Sequence, residues 1–170
     1  MSATSPTIEL RRMEADDLDA VLAIERSCFP TPWSLAMFVL ELSKPSSVCL
    51  CAFENDVLLG YLVAARYARI WHVMNVSVNP DHRRRGIASR LLCELFAKTA
   101  DPAGQSVHYT LEVRVSNETA ITMYRRNGFK AAGVRTRYYA DNHEDALIMW
   151  RSTDENFIPP NTPVAYWESQ

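Results

Sequence analysis

An α/β layered fold with a partly antiparallel sheet is predicted for this chain by two patterns. Short apolar runs bounded by turn residues alternate with segments in which apolar residues recur at helical spacing, and two of the runs are separated only by an Asn-Asp turn. Length agrees: 170 residues with a 48% apolar share supply one buried core rather than several.

Residues 7–12 (T-I-E-L-R-R) read as the first strand. Leu18, Val21, Leu22, Ile24 and Cys28 then trace one helical face in an acid-rich segment that opens at Glu14. Phe29-Pro30-Thr31-Pro32 ends that helix, because proline lacks an N–H and pushes the residue before it out of helical geometry. Ser34 is placed to cap a second helix over residues 35–42, and Pro45 closes it. Residues 48–53, the Asn55-Asp56 turn and residues 57–65 make a strand pair, and residues 70–78 (I-W-H-V-M-N-V-S-V) a further strand that breaks at Asn79-Pro80-Asp81. From Gly86 a third helix buries Ile87, Leu91, Leu92, Leu95 and Phe96, ending before Asp101-Pro102-Ala103-Gly104. A strand over 107–115, a helix over 117–127 closing on Gly128, and strands near 130–137 and 146–151 complete the pattern. Gly60 and Gly133 fall inside strands, where a bulge or a close backbone approach accounts for glycine.

The ends differ from the rest. Residues 1–6 read as a loose leader, 7–152 as a single domain and 153–170 as a tail. That tail reads as partly disordered or as packed on the domain or on a second subunit, for which Phe157, Ile158, Val164, Tyr166 and Trp167 supply the apolar surface.

Composition excludes several functions. A net charge of −2 provides no overall attraction to nucleic acid. Cys28, Cys49, Cys51 and Cys93 show no C-x-x-C spacing; Cys28 and Cys93 fall on apolar helix faces and read as small buried hydrophobes. His72, His82, His108 and His143 are scattered without metal-ligand spacing and read as structural or surface residues, so no metal is expected. With no signal-like leader and no window of about 18 apolar residues, the expectation is a soluble cytoplasmic protein with reduced thiols, away from membranes.

Chemistry concentrates in residues 76–92. A strand (Val76, Ser77, Val78) leads through a short loop into a helix whose first turn holds Gly86, Ile87, Ala88 and Ser89, so backbone N–H groups face outward with little above them. That is an anion cradle, distinct from a Walker loop and from a G-x-G-x-x-G turn. Arg84 and Arg85 beside it suit a phosphate, while a solvated basic run over Arg83–Arg85 explains the same residues equally well.

The block R-x-x-G-x-A over residues 83–88, following a V-x-V strand, resembles the acetyl-coenzyme A signature of the GNAT superfamily of N-acetyltransferases. Residues 29–34 (F-P-T-P-W-S), 111–117 (L-E-V-R-V-S-N), 120–129 (A-I-T-M-Y-R-R-N-G-F), Tyr138-Tyr139 and 144–149 (E-D-A-L-I-M) narrow the resemblance to the bacterial RimI branch, in order across residues 7–151. Members of that branch acetylate the N-terminal alanine of ribosomal protein S18 and are related to archaeal and eukaryotic N-terminal acetyltransferases.

The resemblance implies a mixed, mostly antiparallel seven-stranded sheet, splayed between the strands at 70–78 and 107–115 and flanked by about four helices. It implies acetyl-CoA as cosubstrate, held by Val76, Ser77 and Val78, by Arg84, Arg85, Gly86, Ile87, Ala88 and Ser89, and by Asn117. It implies Glu112 as proton acceptor and Tyr124 as proton donor, with Phe29, Pro30, Tyr138 and Tyr139 as walls of a peptide slot. Taken alone, Glu112 reads as a surface carboxylate on the exposed face of a strand or as a partner of Arg114 or Arg137, Tyr124 as an aromatic core residue, and Trp33 as core or capping. Tyr124 lies seven residues after Asn117, about two helical turns, which puts both on one helix face. Glu41, Asp141, Glu144 and Asp145 are candidates to steer a basic peptide. The implied partner is a protein N-terminus, with the enzyme a monomer or weak homodimer; acetylation of other N-termini or of a small-molecule amine is the alternative.

Overall fold

The computed structural model describes residues 7–160. The leader 1–6 and, in the tail, Val164, Tyr166 and Trp167 lie outside them. In chain order the elements are β1 (Glu9–Arg12), α1 (Leu18–Cys28), α2 (Leu35–Ser43), β2 (Ser47–Glu54), β3 (Val57–Tyr67), β4 (Ile70–Val78), α3 (Ile87–Thr99), β5 (His108–Arg114), α4 (Glu118–Arg126), β6 (Lys130–Arg135) and β7 (Ala146–Ser152). The strands form a seven-stranded sheet in the order β1-β2-β3-β4-β5-β7-β6. β4 and β5 run parallel, whereas the β1/β2, β2/β3, β5/β7 and β6/β7 pairs are antiparallel, so the expected mixed α/β architecture is present.

Two compact units divide the chain. The first holds the described residues up to Tyr67 together with Val73–Thr99. β3 is buried along most of its length, which is why residues 57–65 read as an almost continuous apolar run rather than an alternating one. Cys49, Cys51, Tyr61 and Val63 share a cluster with Val21, Leu22 and Ile24 of α1 and Phe38 of α2. Ser34 caps α2 as expected, its hydroxyl accepting from the Met37 N–H at 3.4 Å. Asn55 and Asp56 take positive φ, the backbone that a tight hairpin turn between twisted strands requires. A Cβ added to Gly60 would stand 2.7 Å from the Ser77 carbonyl oxygen, so glycine is what lets β3 lie against β4 there.

The second unit holds Ala68–His72 and the described residues from Ala100 onward. β5, β7 and β6 are its sheet, and β4 contributes its first three residues, pairing Ile70 with His108, Trp71 with Tyr109 and His72 with Thr110. The register shift between Ala131 and Gly133 is the bulge anticipated at that glycine. From the tail, Phe157 stacks on His108 at 4.1 Å and tilts against Trp150 at 5.5 Å, while Ile158 stays exposed.

Cys93 departs from expectation: it is exposed, because α3 buries the face carrying Ile87, Leu91, Leu92 and Leu95 and position 93 turns away from it. The buried thiols are Cys49 and Cys51, and burial pushes them up to about 11 and about 12.

Gly60→Ala must therefore push β3 and β4 apart against backbone rather than against a flexible side chain. We expect a loss of about 1–3 kcal/mol, read as a fall of about 2–4 °C in Tm per kcal/mol by circular dichroism. An unchanged Tm would show that the two strands separate there without cost.

Candidate active site

In the first unit, the predicted cradle takes shape between β4 and α3. Arg84 and Gly86 hold φ of 63° and 72°, turning the backbone sharply before Ile87. The first intrahelical bond, Arg90 N–H to Gly86 C=O, is 3.0 Å long, which leaves the N–H groups of the opening turn for another acceptor. A Cβ built on Gly86 would meet no protein atom within 4 Å, so the backbone there faces open space. A bare, positively polarised helix start of this kind fits a phosphate group.

The arginines around it are unequal. Arg83 donates to the Val78 carbonyl at 3.4 Å and to Cys28 Sγ at 3.3 Å. Arg85 grips Glu54 with both guanidinium nitrogens, at 2.5 and 3.2 Å, so its charge is already shared with β2. Among the described residues none bonds to the Arg84 guanidinium, which makes it the arginine left for an anion. Val76 and Val78 lie on the half-buried face of β4, alternating with the buried Asn75 and Ser77. The Ser77 side chain is buried beside Tyr61 and bonds its hydroxyl.

In the second unit the chemistry centres on Glu112. The parallel register sets His72 opposite Thr110, and Glu112 lies two residues further along β5 on the same face. His72 Nε2 and Glu112 Oε2 are 2.6 Å apart, and Arg135 reaches Glu112 Oε1 at 3.6 Å. Burial pushes the Glu112 carboxyl up, but the hydrogen bond and attraction of His72, helped by Arg135, outweigh it and hold the group below the ordinary carboxylate range. An ionised carboxylate only accepts, so the His72 Nε2 carries the shared hydrogen. Glu112 is thus neither the exposed strand carboxylate nor the partner of Arg114 or Arg137 that the sequence allowed. His72 and Arg135 are site residues that sequence reasoning missed: one strand carries His72 and a third carries Arg135, and cross-strand register has no signature in a single chain.

Tyr124 is buried, its ring edge-on to Phe129 at 5.7 Å. Burial pushes its phenol up to about 12, so it holds its proton at neutral pH. Asn117 is not within the helix but is the N-cap of α4, exposed and outside helical geometry, with Oδ1 accepting from the Ala120 N–H at 3.2 Å. Its amide NH2 is the group that remains for a ligand. Tyr138 and Tyr139 meet edge to face at 5.1 Å, Tyr138 under the Arg135 guanidinium and Tyr139 under that of Arg114.

Arg114 also binds Asp141 through both carboxylate oxygens, at 3.0 and 2.9 Å, and Glu144 at 3.2 Å. Asp145 accepts from the Arg137 N–H at 2.8 Å, and in the first unit Glu41 is buried against Lys44 and Ser47. Each of the four carboxylates that the sequence offers for steering a basic peptide thus has a partner within the protein, and Glu41 is buried as well. In the first unit Phe29 is half-buried and Pro30 exposed after α1, while the Trp33 ring packs on Phe38 at 5.2 Å, the core role that the sequence also allowed. Among the described residues there is no cluster of three metal-ligating side chains, and no helix is long and apolar enough to cross a membrane.

Residues 18–129 match the acetyltransferase (GNAT) family. The chain belongs to this family. It is 32% identical over 161 residues to the N-alpha-acetyltransferase RimI of Mycobacterium tuberculosis, covering 91% of this chain and 99% of that one. Over 139 residues it is 32% identical to the [ribosomal protein bS18]-alanine N-acetyltransferase of Salmonella typhimurium, covering 81% and 92%. The crystal structure of the ribosomal-protein-S18-alanine N-acetyltransferase from Escherichia coli superposes with a TM-score of 0.77 at 27% identity, over 90% of this chain and all of that one. This GNAT enzyme is an acetyl-CoA-dependent N-acetyltransferase of the RimI type.

Within the second unit of this GNAT chain, Glu144 ties the β6–β7 loop to the end of β5. Bonds from the Ser116 hydroxyl and N–H, then from Arg114 and Asn142, hold its carboxyl down at about 2 against the opposing effect of burial. A folded-state pKa below the unfolded one gives stability that is present above about pH 4.5 and is lost as pH falls toward 2. The urea midpoint of Glu144→Gln should therefore lie below wild type at pH 7 and converge with it on acidification. A gap independent of pH would contradict the assignment.

Proposed function

We propose that this enzyme acetylates the α-amine of a protein N-terminus, and that its substrate is the N-terminal alanine of ribosomal protein S18. The observation that carries this reading is the buried Glu112 carboxylate, kept ionised by His72 and Arg135 in the unit that also holds Tyr124, Tyr138 and Tyr139. The names of the Salmonella and Escherichia coli relatives support the choice of substrate.

When bound, acetyl-CoA supplies the acetyl thioester that the amine attacks. The backbone N–H groups of Gly86, Ile87, Ala88 and Ser89, with Arg84, would hold its pyrophosphate. Arg85 would join them only by leaving Glu54. Backbone groups of Val76, Ser77 and Val78 and the Asn117 amide would hold the pantetheine arm. An α-ammonium has a pKa of about 8, so about a tenth is already neutral at pH 7 and a modest base suffices. Glu112 takes the proton of the remainder, directly or through water, with His72 Nε2 keeping the carboxylate oriented. Tyr124 Oη, protonated at neutral pH, supplies the proton that the departing sulfur needs. Phe29 and Pro30, and the Tyr138 and Tyr139 hydroxyls, contact the peptide.

Mass spectrometry of peptides beginning Ala-Arg, Ser or Met-Leu, and of one with only an internal lysine, tests the reading. The product expected is a single acetyl group on the Ala-Arg N-terminus. Glu112→Gln should lower kcat by about 10²–10⁴, and Tyr124→Phe by about tenfold, since a thiolate leaves readily. Acetylation of lysine alone, or full activity of Glu112→Gln, would refute it.

A further inference from the structure

Glu25 is a buried carboxylate to which the proposed reaction gives no task. It sits near the end of α1 with 1% of its surface exposed. Oε1 accepts from the Trp33 N–H at 2.7 Å, and Oε2 from the Tyr61 hydroxyl and from Asn75 Nδ2 at 3.1 Å. All three donors are neutral. A charge is costly to bury, and an apolar residue would fill the same helix face more cheaply. What the carboxylate alone provides is a junction of three donors, one from β3, one from β4 and one from the backbone of the connection between α1 and α2.

That connection is short of other anchors. Pro30 and Pro32 have no N–H to give, and among the described residues the bond from Trp33 to Glu25 is the one hydrogen bond made by residues 30–33. Trp33 then packs on Phe38, and Phe38 meets the Tyr61 ring edge-on at 5.6 Å, which closes a circuit back to Glu25. The shape of the backbone between Cys28 and Ser34 is therefore set from inside the core.

We propose that Glu25 is a positioning residue for the peptide substrate: its carboxylate fixes the Phe29–Ser34 connection in the conformation that receives the N-terminus. This rests on the reading above that Phe29 and Pro30 touch the peptide. Glu25 itself touches no reacting atom, so its loss impairs peptide recognition and spares the chemical step.

The test compares wild type, Glu25→Leu and Glu25→Gln by hydrogen–deuterium exchange and by steady-state kinetics on the Ala-Arg peptide. In Glu25→Leu the Trp33 amide loses its acceptor, and exchange across residues 29–34 should quicken while the rest of α1 is unchanged. Peptide KM should rise about tenfold, with kcat and the KM for acetyl-CoA within about twofold. Glu25→Gln keeps an oxygen for the Trp33 amide and should hold the peptide KM within about threefold of wild type. If Glu25→Leu proves unstable, Glu25→Leu/Tyr61→Phe removes the stranded hydroxyl and carries the same expectation. Unchanged exchange, equal rises in both KM values, or a Gln variant as impaired as Leu would each overturn the positioning role. A wild-type enzyme that acetylates no N-terminal peptide overturns the proposed function instead, and shows itself before any variant is compared.

Discussion

His72 and Glu112 can meet only because β4 begins by pairing in parallel with β5. The ladder is three residue pairs long, yet it fixes which residue of β4 stands beside the face carrying Glu112. A slip of one residue would turn every β4 side chain to the opposite face and leave Glu112 buried beside Arg135 alone. A lone carboxylate so enclosed would drift upward in pKa and hold a proton at neutral pH. With His72 bonded to one oxygen and Arg135 near the other, it stays an anion. This explains how a strand can place an acid among apolar neighbours and keep it available to take a proton.

The same strand positions the tyrosines. Arg114, two residues beyond Glu112 and on its face, binds Asp141 and Glu144 and lies 3.9 Å above the Tyr139 ring. Its guanidinium thus draws the β6–β7 loop toward the end of β5, and Tyr138 and Tyr139 travel with that loop. The acidic residues of this segment hold the loop through those bonds. The chain as a whole adds little field of its own, its net charge being −2.

Much of this was legible in the chain itself. Strand and helix limits follow from proline, glycine and periodicity: Pro45 comes two residues after the end of α2, Gly128 follows α4 with φ of 88°, and Asn55-Asp56 closes the β2–β3 hairpin. Glu112 and Tyr124 stood out through the family resemblance. What stayed hidden depends on pairing between distant segments. His72 looked like one scattered histidine, because its importance lies in a partner 40 residues away in another strand. The sequence offers Arg114 or Arg137 as the partner of Glu112, but the arginine that reaches it is Arg135, in register with Ala146 on the intervening strand β7. Asn117 was placed by counting helical residues, yet the helix starts one residue later and turns it into a cap. Local rules reach the elements, whereas charge partners require the sheet.

The cradle illustrates a different division of labour. Three consecutive arginines suggest a site built from side-chain charge, but Arg83 is bonded to β4 and to Cys28, and Arg85 to Glu54. What remains is chiefly backbone: a helix start, two residues of positive φ and a glycine with open space above it. Backbone donors cannot rotate away, and the helix holds them at fixed spacing, so an anion placed there is located as well as attracted. For a transferase that is the useful property, since an acyl donor must present its reactive carbon at a defined point. The paired arginines then serve to hold the loop, and the loop offers its backbone, more than their charge, to an anion.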